Sequence, residues 1–220
     1  MKRSNLNWML ALGALWLIGC EDKKAPVVMQ VQGGGKVFLH PQQGDVVQWK
    51  DSSGKAFPVT FPPIGTSPCQ ESANPTSTCT LKLGGVYPYD CAGCADPVII
   101  VGSDGGPLQK AVVLPKGNVL DSQSGVIYCD AASKAAKVYK DPLQVAASTG
   151  GANSKIQWFP YGNSGITAFT VTLQPGTCQE ATIDQSQNIC TLLAGAPKSQ
   201  TYNVTADVCS SPGTAVLNVQ

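Results

Sequence analysis

Apolar residues fall into two regimes along the chain. Residues 6–19 (LNWMLALGALWLIG) form one apolar run, with Asn7 its one polar side chain, behind Lys2 and Arg3. The run is shorter than the roughly 20 residues that span a bilayer as a helix, and the charged-then-apolar order is that of a secretory leader. Beyond residue 26 the apolar positions come in short runs of Val, Ile, Thr, Tyr and Phe, broken by Gly, Pro, Asp and Ser. Val47-Gln48-Trp49 and Val59-Thr60-Phe61 alternate apolar with polar, as half-buried strands do. The pattern predicts strands at 27–31, 36–39, 46–49, 57–61, 79–83 and 98–101. A second set follows at 110–114, 126–129, 137–139, 143–146, 155–159, 167–173, 189–193, 202–205 and 215–219. Only 130–137 (DAASKAAK) reads as a helix, of about two turns. The expected class is all-β, built as two tandem antiparallel β-sandwiches.

The two strand sets are copies. Val47-Gln48-Trp49 matches Ile156-Gln157-Trp158, and Phe57-Pro58-Val59-Thr60-Phe61 matches Phe169-Thr170-Val171-Thr172-Leu173. Cys69-Gln70-Glu71 matches Cys178-Gln179-Glu180, and Cys79-Thr80-Leu81 matches Cys190-Thr191-Leu192. Tyr87 lies seven residues before Cys94, as Tyr202 does before Cys209. An offset of this size means duplicated domains rather than a solenoid. The turn-rich segment Gly102-Ser103-Asp104-Gly105-Gly106-Pro107 marks the boundary. The expected organisation is a leader over 1–19, a tether over 20–25, a first domain over 26–103 and a second over 108–220.

The leader ends in Leu17-Ile18-Gly19-Cys20, which resembles the lipobox of bacterial lipoproteins. The resemblance implies cleavage before Cys20 and acylation of its sulfur and new amine. Each buried CH₂ adds about 0.8 kcal/mol, so several chains anchor a protein stably. Glu21, rather than Asp, follows the cysteine. The implied location is therefore the bacterial cell envelope, at the outer membrane, with the membrane itself as one partner through the anchor. The remaining eight of the nine cysteines, even in number in an exported chain, read as a disulfide framework. Cys69–Cys79 and Cys178–Cys190 are expected to close matching loops. Cys91–Cys94 and Cys129–Cys209 keep the other bridges within domains, with an interdomain Cys91–Cys129 bridge as the alternative.

The first repeat also resembles a cupredoxin, a Greek-key sandwich. The resemblance rests on Gly44-Asp45-Val46-Val47-Gln48-Trp49, Phe57-Pro58-Val59-Thr60-Phe61 and Tyr87-Pro88-Tyr89-Asp90-Cys91, with a closing strand over 97–101. Blue-copper members hold copper with two His, one Cys and a weak axial Met. Here Phe57 stands at the first His position, Cys91 at the Cys position and Cys94 at the second His position, with no Met following. In the second repeat the same positions hold Phe169, Ala206 and Cys209. The resemblance therefore implies the fold without a type-1 copper site, and no cofactor is expected.

Two alternatives use Cys91-Ala92-Gly93-Cys94. One is copper handling through Cys91, Cys94 and His40, or a Cys₄ set with Cys69 and Cys79. The other is thiol–disulfide redox, which needs the motif at a helix N-terminus, where thiol pKa falls. Pro97 and an apolar run follow instead.

Composition narrows the classes further. Charged residues are 13% of 220, and the formal net charge is +1 without a basic cluster, so nucleic acid is not an expected partner. His40 is the single histidine, beside Pro41, and reads as a turn residue rather than a catalytic base. Glu71 and Glu180 read as exposed loop residues in separate domains, and Gly33-Gly34-Gly35 as a turn without phosphate-loop chemistry. Trp49 and Trp158 read as paired core residues. The expectation is a non-catalytic binding or structural protein whose further partner is an envelope protein or polymer.

Overall fold

A computed structural model describes residues 25–30, 41–93, 97–102, 122–145 and 154–220. It is all-β, with fourteen strands among these residues and no helix. In the first repeat they are β1 (Val27–Gln30), β2 (Val46–Lys50), β3 (Thr78–Thr80), β4 (Gly85–Pro88) and β5 (Val98–Val101). The second repeat opens with β6 (Ser122–Cys129), β7 (Ala136–Tyr139), β8 (Leu143–Val145) and β9 (Lys155–Pro160). It continues with β10 (Phe169–Thr172), β11 (Ile183–Asp184), β12 (Ile189–Thr191), β13 (Ser199–Ala206) and β14 (Gly213–Val219). The strands expected at 36–39 and 110–114, and most of the interdomain linker, lie outside the described residues.

Four sheets form, ordered β1-β2-β3, β4-β5, β12-β9-β6-β7 and β11-β10-β13-β14-β8. Most pairs are antiparallel, but β1 runs parallel to β2, β6 to β9 and β14 to β8. The repeat is visible in this wiring. β2 lies between parallel β1 and antiparallel β3, just as β9 lies between parallel β6 and antiparallel β12.

Each repeat builds a core around its tryptophan. Trp49 is fully buried and meets Phe61 and Tyr89 edge-on at 5.9 and 5.8 Å. Trp158 is fully buried and meets Tyr202 edge-on at 6.1 Å. The counterpart of Tyr202 is therefore Tyr89, not Tyr87 as counting back from the cysteines suggests. The hairpins after the two tyrosines differ in length, so a cysteine-based count slips by two residues. Val59 pairs with Thr76 as Val171 does with Ile183, and Thr60 pairs with Asp90 as Thr172 does with Asn203. The second of these pairings sets Asp90 against Asn203 and requires the same two-residue correction.

The helix expected over 130–137 is absent. The Asp130 carboxylate accepts from the Ser133 amide at 2.8 Å, closing a turn. Lys134 then takes φ +57°, which ends helical winding, and Ala136 enters β7 opposite Cys129. A local Asp-to-backbone bond outcompetes alanine's helix preference here.

The cores are not separate. Val126, Phe159 and Tyr161, all from the second repeat, are buried in the first repeat's cluster. Their neighbours Ile127, Ile156 and Trp158 are buried in the second cluster. The sheet β12-β9-β6-β7 therefore presents one face to each core, and β9 is buried along nearly its whole length. At the seam the Gly162 amide donates to the Val86 carbonyl at 2.7 Å. Gly85, at φ +132°, approaches so closely that a Cβ there would stand 2.5 Å from the Gly162 Cα. Only glycine permits both that φ and that contact.

Candidate functional site

The loop that follows β4 carries the densest chemistry of the described residues. Asp90 exchanges backbone hydrogen bonds with Thr60 at 2.7 and 2.8 Å. Its carboxylate accepts the Tyr139 hydroxyl at 2.7 Å and pairs with the Lys140 ammonium at 3.0 Å. Tyr139 and Lys140 belong to the second repeat, so the loop is tied across the seam. Tyr161 adds a hydrogen bond from its hydroxyl to the Thr66 carbonyl at 3.1 Å and an edge-on contact with Tyr87 at 5.4 Å. Burial pushes the Tyr161 phenol up to about 12 and that of Tyr87 well above its usual range.

Cys91 follows Asp90 and is disulfide-bonded. Cys94, its expected partner, lies outside the described residues, as do His40 and Cys20. A half-cystine offers no thiolate, so in this state Cys91 is not a ligand of the kind copper needs. Phe57, at the first His position of the resemblance, is half-buried with its amide donated to the Trp49 carbonyl at 2.9 Å. In the second repeat Phe169 is buried, and Cys209 is bonded to Cys129. These donors do not fit a type-1 copper centre. Redox chemistry also lacks its usual setting: a turn follows Cys91, and after Pro97 the chain enters β5 rather than a helix.

Two further bridges join Cys69 to Cys79 and Cys178 to Cys190. Each works with a carboxylate. Glu71 accepts from the Thr80 amide and hydroxyl at 2.9 and 2.7 Å. Glu180 accepts from the Thr191 amide and hydroxyl at 2.6 and 2.7 Å. The repeated motif is thus a clamp: the disulfide fixes the loop, and the carboxylate satisfies the donors beside the second cysteine. The Thr80 hydroxyl bond holds the Glu71 carboxyl below its ordinary range. Glu71 and Glu180 are therefore scaffold residues, a role their position one residue after Cys-Gln did not reveal.

The seam residues were missed by the sequence reading. A signal existed, because Trp158-Phe159 breaks the alternation that Trp49-Lys50 keeps. Adjacent apolar residues on one strand mark a sheet buried on both faces.

No family model matches the chain, and no curated protein matches it. Among solved structures it is similar to a Cu-containing nitrite reductase from Thermus scotoductus SA-01, at 11% identity and a TM-score of 0.31, covering 83% of this chain and 54% of that one. A multicopper oxidase from Campylobacter jejuni aligns at 10% identity and a TM-score of 0.28, over 88% and 57% of the two chains. An endo-fucoidan hydrolase of glycoside hydrolase family 107 aligns at 14% and 0.26, over 89% and 28%. The chain spans about half the length of the first two structures. Superpositions this loose define neither a shared fold nor a shared chemistry.

Proposed function

We propose that this chain is a non-catalytic binding or structural protein of the bacterial cell envelope, anchored at the outer membrane by lipid on Cys20. One observation carries the non-catalytic reading. Among the described residues, the side chains best suited to chemistry are already committed to the scaffold. Cys69, Cys79, Cys91, Cys129, Cys178, Cys190 and Cys209 are in disulfides. Glu71 and Glu180 clamp backbone donors. Trp49 and Trp158 fill cores. The order Lys2-Arg3, apolar run, Leu17-Ile18-Gly19-Cys20 supports the anchor.

Metabolic labelling with palmitate, on the full chain expressed in a Gram-negative bacterium, tests the anchor. Label should enter the wild type, follow the outer-membrane fraction and be lost in Cys20→Ala. An unlabelled, freely soluble wild type would refute it. Thiol titration and metal analysis of the same preparation test the rest. The expectation is no free thiol, the Cys20 sulfur carrying lipid, and no retained copper. Stoichiometric copper would overturn the non-catalytic reading in favour of metal handling.

A further inference from the structure

The equivalent outer faces of the two repeats differ in chemistry. In the first repeat, Pro88 and Val98 pair on β4 and β5 and share a small cavity with Ser124 and Val126 of the second repeat. With Tyr89 equivalent to Tyr202, their counterparts on β13 and β14 are Thr201 and Val216, which also pair. No further part of the described chain covers that second face, and it has turned polar in an unusual way. β8, β10, β13 and β14 together contain no charged residue. Thr170, Thr172, Thr201, Asn203, Thr205 and Thr214 are all exposed. Thr170 stands opposite Thr205, Thr172 opposite Asn203, and Asn203 opposite Thr214. Hydroxyls and amides thus recur about every 4.8 Å across strands and about every 6.8 Å along them.

Solubility alone does not call for this face. Exposed surfaces normally mix Lys, Arg, Glu and Asp, whereas here the carboxylates lie at the margins and are engaged by the scaffold: Asp184 on β11 accepts from the Ser186 and Gln187 amides, Asp141 before β8 accepts from the Val216 amide at 2.7 Å, and Glu180 accepts from Thr191. The lack of Lys and Arg gives no grip on nucleic acid or anionic lipid. The lack of aromatic and Arg anchors is unlike a protein interface. A groove of about 530 Å³ opens beside β10, lined in part by Thr170, Thr172, Gln174, Gln179, Glu180 and Thr182. Its polar lining continues the same hydroxyl and amide chemistry, with Val171, Leu173 and Ile183 between and the Glu180 carboxylate engaged by Thr191.

We infer that the outer face of β10-β13-β14, with the groove at its β10 edge, binds a neutral polysaccharide through hydroxyl and amide hydrogen bonds. This rests on the non-catalytic reading and names the polymer partner left open there. Each Thr hydroxyl both donates and accepts, as sugar hydroxyls do, and Asn adds two donors and an acceptor. The strands of this face carry no charged side chain, so a neutral ligand docks on them without desolvating an ion.

Affinity electrophoresis of the purified full chain, through gels containing dextran, mannan or a soluble β-glucan, tests this. Polygalacturonate and heparin serve as anionic probes. At least one neutral polymer should retard the wild type. Thr201→Arg with Asn203→Arg should weaken retardation about tenfold or more, the loss expected from one or two removed hydrogen bonds. Gln70→Arg, exposed in the first repeat, should leave it unchanged. Tryptophan fluorescence of each variant establishes that the cores are intact. No retardation by any neutral polymer, retardation by anionic polymers only, or retardation indifferent to the double variant would each overturn the inference. So would binding to ice alone, measured as thermal hysteresis, since a flat Thr array could serve that ligand instead. Reducing-end release in the same incubations separates the two readings: cleavage of a bound polymer would refute the non-catalytic function and leave the binding face standing.

Discussion

Phe159→Ala probes the seam most directly. Phe159 is fully buried, yet it lies in the first repeat's core, not the core of its own repeat. Truncating a buried Phe costs about 3–5 kcal/mol through lost transfer energy and the cavity left behind. That is a large part of the roughly 5–15 kcal/mol by which a domain is stable. Its counterpart Lys50 is half-buried at the equivalent strand position, and Lys50→Ala should stay within about 0.5 kcal/mol. Urea unfolding followed by tryptophan fluorescence measures both on the chain from Cys20 onward, whose tryptophans are Trp49 and Trp158. Two single-tryptophan chains, one retaining Trp49 and the other Trp158, report the two cores separately. Because the cores share one sheet, Phe159→Ala should lower both midpoints together. A shift in the Trp158 signal with the Trp49 transition unmoved would refute the shared core. So would a loss below about 1 kcal/mol, since nothing at a fully buried phenylalanine explains so small a cost.

Three further outcomes follow from named contacts. Replacing both Cys129 and Cys209 by Ala opens a span of 80 residues and should cost about 4.5 kcal/mol, against about 3 kcal/mol for the 12-residue Cys178–Cys190 span; urea midpoints showing the reverse order would contradict loop-closure entropy as the source. The Glu71 carboxyl is held low by Thr80, so its contribution to stability is complete above the ordinary glutamate range and fades as pH falls through the lowered folded value. Thr80→Val should move the Glu71 titration, followed by carboxyl NMR, up toward the ordinary range; an unmoved titration would sink the clamp. Burial raises the Tyr89 and Tyr161 phenols to about 12, so their contribution is complete below the unfolded value near about 10 and is lost as pH rises from there toward 12. At about pH 11 phenolate absorbance should therefore step up when denaturant is added, and full tyrosine ionisation with intact near-ultraviolet dichroism would disprove the burial.

Most strands were legible because alternation on a half-buried sheet is written directly in the residue types, as at Val46–Lys50 and Phe169–Thr172. The Cys-Gln-Glu and Cys-Thr-Leu copies were legible as a repeat, though the reason for them was not. Glu71 and Thr80 meet only once the loop is folded. Gly85–Pro88 was missed because Gly and Pro flank only two strand formers there, and its pairing with Val98–Val101 comes from tertiary context. The segment 130–137 misled because two alanine pairs outweigh, on propensity alone, a single Asp that in fact turns the chain. The mismatch with a type-1 copper centre was legible in the residue types, since Phe57 and Phe169 offer no donor in any conformation.

The duplication explains why two copies of one sheet face came to differ. A sheet's outer face is either covered by its neighbour or left to solvent, and a face left to solvent is normally polar. In the first copy the face is covered, and Pro88, Val98 and Ile100 suit a dry contact with Val126 and Phe159. In the second copy Ile100 is replaced by Asn218 and Pro88 by Thr201. Solubility of an exposed face demands only polarity, and Lys or Glu would meet that demand better. Selection of hydroxyl and amide side chains without charge is an additional choice. A bare requirement for solubility does not account for it, whereas a neutral, hydroxyl-rich ligand does.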